Sequence, residues 1–156
     1  MIEALQAFAA SLPEPLTWLG ILVIAAVPLV ESYFGSVIGV LLGLHPAVAI
    51  GLAVVGNVVS MLIFVLSAHG VRRRVTSRSE QKKESPRRQK LRERFDRYGV
   101  AGVSLAGQAL LPSQITSAAM VSFGASKNVV IFWQIISIIL WGLAFGVLAS
   151  LGVSFL

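Results

Sequence analysis

The stretch "VPLVESYFGSVIGVLLG", residues 27–43, decides how this chain is read. Between Glu14 and Arg72 a single formal charge occurs, and it is Glu31, in the middle of this stretch. Pro28 stands three residues before it, and Gly35, Gly39 and Gly43 follow at four-residue spacing. A proline stops a helix by removing a donor and clashing with the preceding turn. Glycines four apart leave a smooth stripe on which another helix can close. The pattern predicts a helix broken near its middle, with a carboxylate at the break and a closely packed second arm.

Working outward, the charge distribution predicts the setting. The chain of 156 residues is 56% hydrophobic and 13% charged, with a mean hydropathy of +0.82. Twelve of the 13 Lys and Arg residues lie between Arg72 and Arg97, together with Glu80, Glu84, Glu93 and Asp96. That segment carries +8 and the remainder −2. Because charge is excluded from hydrocarbon, such segregation predicts an integral membrane protein with one polar loop. The high pI arises in that loop, so nucleic-acid binding is not expected. With no cysteine, thiolate chemistry and Cys-based metal sites are excluded. No Lys or Arg precedes the first apolar run, so a secretory signal peptide is not expected.

Four apolar blocks follow a short N-terminal surface segment, residues 1–15. The first, 16–44, is broken at Pro28 and Glu31. The second, 46–68, is 23 uncharged residues, enough to cross a bilayer core that needs about 20. The third, 98–126, is broken at "LLPSQITS", residues 110–117, and the fourth, 128–156, is uncharged throughout. The turns "GLHPA" (43–47) and "GASKN" (124–128) join each broken block to its unbroken successor. The expected fold is therefore all-α, with two inverted membrane halves, 16–70 and 99–156, around a basic cytoplasmic loop, 71–98. Paired interrupted segments at corresponding positions point to an inverted-repeat transporter and its binding site.

Two topologies fit. Each broken block is a re-entrant hairpin, giving two full spans and both termini outside, or it is one kinked span, giving four spans and both termini inside. Both place the basic loop in the cytoplasm. The pieces 16–27 and 29–44 are short for spans, which favours hairpins. Irregular backbone at membrane depth must be buried in protein or line a wet cavity, so a homodimer or larger homo-oligomer is expected. Gly35, Gly39 and Gly43, and Gly142 and Gly146 on the last helix, are the candidate packing glycines.

Glu31 is the leading functional candidate, since an intramembrane carboxylate should face a cavity or a partner. It suits binding a proton, a metal ion or a cationic substrate. Asn57 is the one strong amide in the second block. In the second half, Gln108, Ser113, Gln114 and Thr116 surround Pro112, and Gln134 could face the same place. His45 and His69 lie far apart in sequence, no cluster has metal-ligand spacing, and no catalytic constellation is visible. Neither a metal, a cofactor nor an enzyme is expected. Ser85-Pro86 begins a basic amphipathic helix through Tyr98, placed to lie on anionic lipid.

The stretches "PLVESYFGSVIGVLLGLHPAVAIGLAVVGN" (28–57) and "LLPSQITSAAMVSFGAS" (110–126) resemble the small multidrug export family, itself distantly similar to the DedA membrane proteins. The resemblance covers roughly residues 25–152. It implies a multi-pass protein of the bacterial cytoplasmic (inner) membrane with transporter-like hairpins. DedA proteins carry arginines flanking the second hairpin's proline, where this chain has Ala109 and Ile115. Three functions are open. The first is a small secondary transporter or exporter of a small-molecule substrate, coupled through Glu31. The second is a DedA-like lipid flippase or scramblase, and the third is a structural subunit of a larger membrane complex.

Overall fold

The computed structural model describes residues 2–76, 99–108 and 110–154. All regular structure among these residues is helical: α1 (Ile2–Ala10), α2 (Glu14–Ala25), α3 (Glu31–Leu41), α4 (Pro46–Thr76), α5 (Val100–Gly107), α6 (Ser113–Ser122) and α7 (Lys127–Ser154). The amphipathic helix expected between Ser85 and Tyr98 lies outside the described residues, as does Ala109. α4 and α7 contain the stretches long and apolar enough to cross a membrane, Pro46–Arg74 and Lys127–Gly152. At 1.5 Å per residue, α2 and α3 reach only about 18 and 16 Å, well short of a hydrocarbon core of about 30 Å.

The chain divides into two compact units, residues 1–60 with 138–156 (unit 1) and residues 61–137 (unit 2). This division cuts α4 and α7 and does not follow the halves 16–70 and 99–156.

In unit 1, α3 folds back along α2. A Cβ on Gly35 would lie 2.7 Å from Ala25 Cβ, and one on Gly39 would lie 3.7 Å from Ile21 Cγ1. Partners that fall along one chain as they rise along the other mark antiparallel arms. α4 then returns along α3, with Ala53 opposite Gly35 and Ala49 opposite Gly39. α7 completes the unit, where Gly142 faces Ser32 and Val54, and Gly146 faces Ser36 and Ile50. Four of the five candidate glycines are thus occupied within the chain.

Gly43 departs from the expectation. Nothing lies within 4 Å of its Cβ position, and its φ is +84°. It closes α3 in a Schellman turn, with Leu44 N–H donating to the Gly39 carbonyl (3.1 Å) and Gly43 N–H to that of Val40 (3.0 Å). An L residue is disfavoured in this left-handed conformation. In the N-terminal helix, Ala4, Ala7, Phe8 and Ala10 are exposed. Ala9 of α1 is fully buried with Ile21, Ile24, Ala25, Val30, Ile38 and Ala53 in the unit's apolar core.

In unit 2, α5 and α6 are neighbours separated by a break at residues 108–112. The helix resumes at Ser113, so Ser113, Gln114, Thr116 and Ser117 belong to α6, not to the break as the sequence suggested. Pro112 takes the position before the first helical residue, where its missing N–H leaves no helix hydrogen bond unmade. α6 ends as α3 does: Gly124 has φ +113°, and Ala125 N–H donates to the Met120 carbonyl at 3.0 Å.

Candidate functional site

Unit 1 places Glu31 at the start of α3, at the tip of the α2–α3 hairpin, with none of its surface exposed. Asn57, equally buried on α4, donates from Nδ2 to Glu31 Oε2 at 2.9 Å. The pairing continues the register that brings Ala53 to Gly35 and Ala49 to Gly39. Close approach at the glycines therefore delivers the amide to the carboxylate. A hydrogen bond to a charged group is stronger than one between neutral groups.

The backbone at the tip is strained. Leu29 has φ +79° and Glu31 has φ +59°, a region that side chains with a Cβ rarely enter. Such residues persist only where the surroundings over-determine them, and they cluster at functional sites. Here the surroundings are tight. The Ser60 hydroxyl donates to the Ala26 carbonyl at 2.8 Å, satisfying a group freed by the end of α2. Gly56 lies directly against the Leu22 backbone. Next to Glu31, the Ser32 hydroxyl donates to the Ile138 carbonyl of α7 at 2.7 Å, and Ser36 donates to Ser32 at 2.6 Å. Tyr33 and Phe34 form an aromatic cluster with Phe145, and Trp141 stacks beside Tyr33 and Phe145. The result is a carboxyl group enclosed by protein at a strained turn, with the Asn57 amide among its partners.

Unit 2 gathers a different set. Ser104, Gln108, Ser113, Gln114, Thr116, Ser117, Gln134 and Ser137 are all buried. The Ser137 hydroxyl lies 2.7 Å from the Ser104 carbonyl and 2.6 Å from Gln108 Oε1. Thr116 and Ser117 direct their hydroxyls to the Pro112 and Gln114 carbonyls, at 3.0 Å each. Those protons are used by the helix itself, which weakens Thr116 as a lining group. Arg72, at the end of α4, points a guanidinium nitrogen at the Val121 carbonyl (3.4 Å), where the C-terminal end of α6 favours positive charge.

Of the residues singled out in the sequence, Glu31 and Asn57 meet in unit 1, and Gln108, Ser113, Gln114 and Thr116 are buried in unit 2. Sequence reasoning missed Ser32, Gly56, Ser60, Ser104 and Ser137. Gly56 and Ser60 carried a usable signal, since they share one helical face with Asn57.

No family model matches the chain, and neither a curated protein nor a solved structure matches it.

Proposed function

We propose that the chain is an integral membrane protein and a small secondary transporter, of the small multidrug export kind, whose coupling group is Glu31. The observation that carries this reading is the fully buried carboxylate at a strained hairpin tip, hydrogen-bonded to Asn57. The outward chemistry supports the membrane part. α7 exposes Leu140, Leu143, Val147 and Leu151 along one stripe, and α4 exposes Val55, Val59, Ile63 and Leu66 along another. The opposite faces carry Asn57, Ser60, Gln134 and Ser137. Apolar outside and polar inside is the arrangement that lipid favours.

On this reading α2 and α3 form a re-entrant hairpin, its irregular tip sheltered by protein. Loading Glu31 with a proton or cation changes its bond to Asn57 and so the balance holding Leu29 and Glu31 in the left-handed region. A change at one carboxylate is thereby converted into a change of hairpin position, a requirement of coupled transport.

The test is uptake of a lipophilic cation, ethidium, into proteoliposomes under an imposed pH gradient. Glu31→Gln is expected to insert and fold normally and to abolish gradient-driven uptake. Uptake unchanged in Glu31→Gln removes the coupling role, and movement of labelled lipid without dependence on the gradient favours a flippase or scramblase.

A further inference from the structure

Both sides of the break between α2 and α3 are held from one face of α4. Asn57 and Ser60 lie three residues apart, so they project from the same side of that helix. Just after the break, Asn57 donates to Glu31 Oε2 at 2.9 Å; just before it, Ser60 donates to the Ala26 carbonyl at 2.8 Å. The second contact exists because the helix stops. Val30 N–H would reach the Ala26 carbonyl in a continuous helix. It donates instead to the Val27 carbonyl at 3.1 Å, and Glu31 N–H turns to the same oxygen at 3.4 Å. The break thus takes the helical donor from Ala26, and the Ser60 hydroxyl replaces it. Serine is short, and it reaches because Gly56, one turn earlier, lets α4 lie directly against the Leu22 backbone.

These contacts restrain a segment whose own preferences oppose its shape. Leu29 and Glu31 sit at φ +79° and +59°, a region that L residues occupy only where their surroundings impose it. Burial accounts for one of the two. Glu31 is fully buried, whereas Leu29 leaves 56% of its surface exposed, so its side chain does little to hold the backbone there. The restraint comes from the flanks, at Ala26 and Glu31, and those are the two places that α4 grips.

We propose that Asn57 and Ser60 form a clamp across the break, and that Ser60 is a positioning residue for Glu31. It acts through the backbone of residues 26–31, by fixing where α2 ends. Release of Ala26 lets the tip leave its left-handed conformation and opens the core around Val30. The importance of the clamp for transport rests on Glu31 being the coupling group; the clamp itself does not.

The experiment uses the absence of cysteine from the chain, so that one introduced thiol reports opening at one place. Val30→Cys, at the buried tip, is labelled with N-ethylmaleimide in the purified full-length protein in detergent. Ile38→Cys, equally buried and about two turns along α3, is the reference. Adding Ser60→Ala should speed labelling of Val30→Cys by about fivefold, the effect of one lost hydrogen bond, and leave Ile38→Cys unchanged. Ser60→Thr keeps the hydroxyl and should label as the serine form does. Unchanged labelling of Val30→Cys overturns the proposal. An equal rise at both thiols also overturns it, because a generally loosened fold opens at both, as does a Ser60→Thr protein that behaves like Ser60→Ala. Ethidium uptake measured in parallel separates the two claims. Glu31-dependent uptake with tip labelling indifferent to Ser60 keeps the transport reading and overturns the clamp. Selective opening by Ser60→Ala in a protein that moves no ethidium supports the clamp and removes the transport reading.

Discussion

Gly56→Ala is the substitution on which the packing of unit 1 turns. A Cβ at Gly56 would overlap the Leu22 carbonyl oxygen, and would lie 2.9 Å from its carbonyl carbon and 3.1 Å from its Cα. The obstacle is backbone, so no side-chain rotation relieves it and α2 and α4 must move apart. Gly51, on the same helix, is the matched control, because it is exposed and nothing lies within 4 Å of its Cβ position. In both cases alanine gains about 1 kcal/mol of helix propensity. At Gly56 overpacking costs about 1–3 kcal/mol. Separation of the helices also stretches the Ser60–Ala26 hydrogen bond, worth about 1 kcal/mol.

The expected net result is a loss of about 1–3 kcal/mol for Gly56→Ala against a gain of up to about 1 kcal/mol for Gly51→Ala. Unfolding in mixed micelles at rising dodecyl sulfate fraction measures both, followed by tryptophan fluorescence and circular dichroism. If Gly56→Ala proves as stable as Gly51→Ala, α2 does not pack on α4 at Leu22 and the antiparallel arrangement of unit 1 is wrong.

Two further substitutions probe the tip and the turns in the same assay. Asn57→Leu leaves the buried Glu31 without its 2.9 Å amide donor and should lose about 1–3 kcal/mol, whereas Glu31→Gln keeps an acceptor oxygen there and should lose less; equal stability of Asn57→Leu and the natural chain would exclude the bond. Gly43→Ala and Gly124→Ala should each cost about 1–2 kcal/mol through backbone conformation, and an unchanged Gly43→Ala protein would show that α3 does not end in a left-handed turn.

Prolines and glycines made the breaks legible. Pro28 and Pro112 marked both of them, and the motifs at 43–47 and 124–128 marked both returns, because those residues act through local backbone geometry. What followed from tertiary contact was not legible. Nothing in leucine's preferences forecasts Leu29 at φ +79°, a conformation imposed by the packing of α2 on α3 and α4. Gly35, Gly39 and Gly43 look equivalent at four-residue spacing, yet two pack and one turns, since only the third lies past the last residue of α3. The polar run after Pro112 read as a break because serine and threonine favour turns. In the fold their hydroxyls bond within α6, a choice open to them in a helix deprived of water.

The candidate site was legible as types and not as pairs. An acid inside an apolar stretch stands out alone, but its partner Asn57 is 26 residues away, and only the antiparallel register of α3 and α4 makes them neighbours. Serines carry still less signal. Ser60 and Ser137 matter because each donates to a backbone carbonyl of a hairpin arm, Ala26 and Ser104, and composition says nothing of that.

α3 and α6 end in the same kind of left-handed glycine turn, at Gly43 and Gly124. When Gly124 is set against Gly43, Thr116 and Met120 stand where unit 1 has Gly35 and Gly39. Gln134 and Ser137 stand where it has Ala53 and Gly56. In unit 1 the small residues let backbones touch, which excludes water from Glu31 and holds its amide partner in place. In unit 2 the same positions carry bulk and hydrogen-bonding groups, so the close approach seen in unit 1 depends on the residues that flank the turn and not on the turn itself.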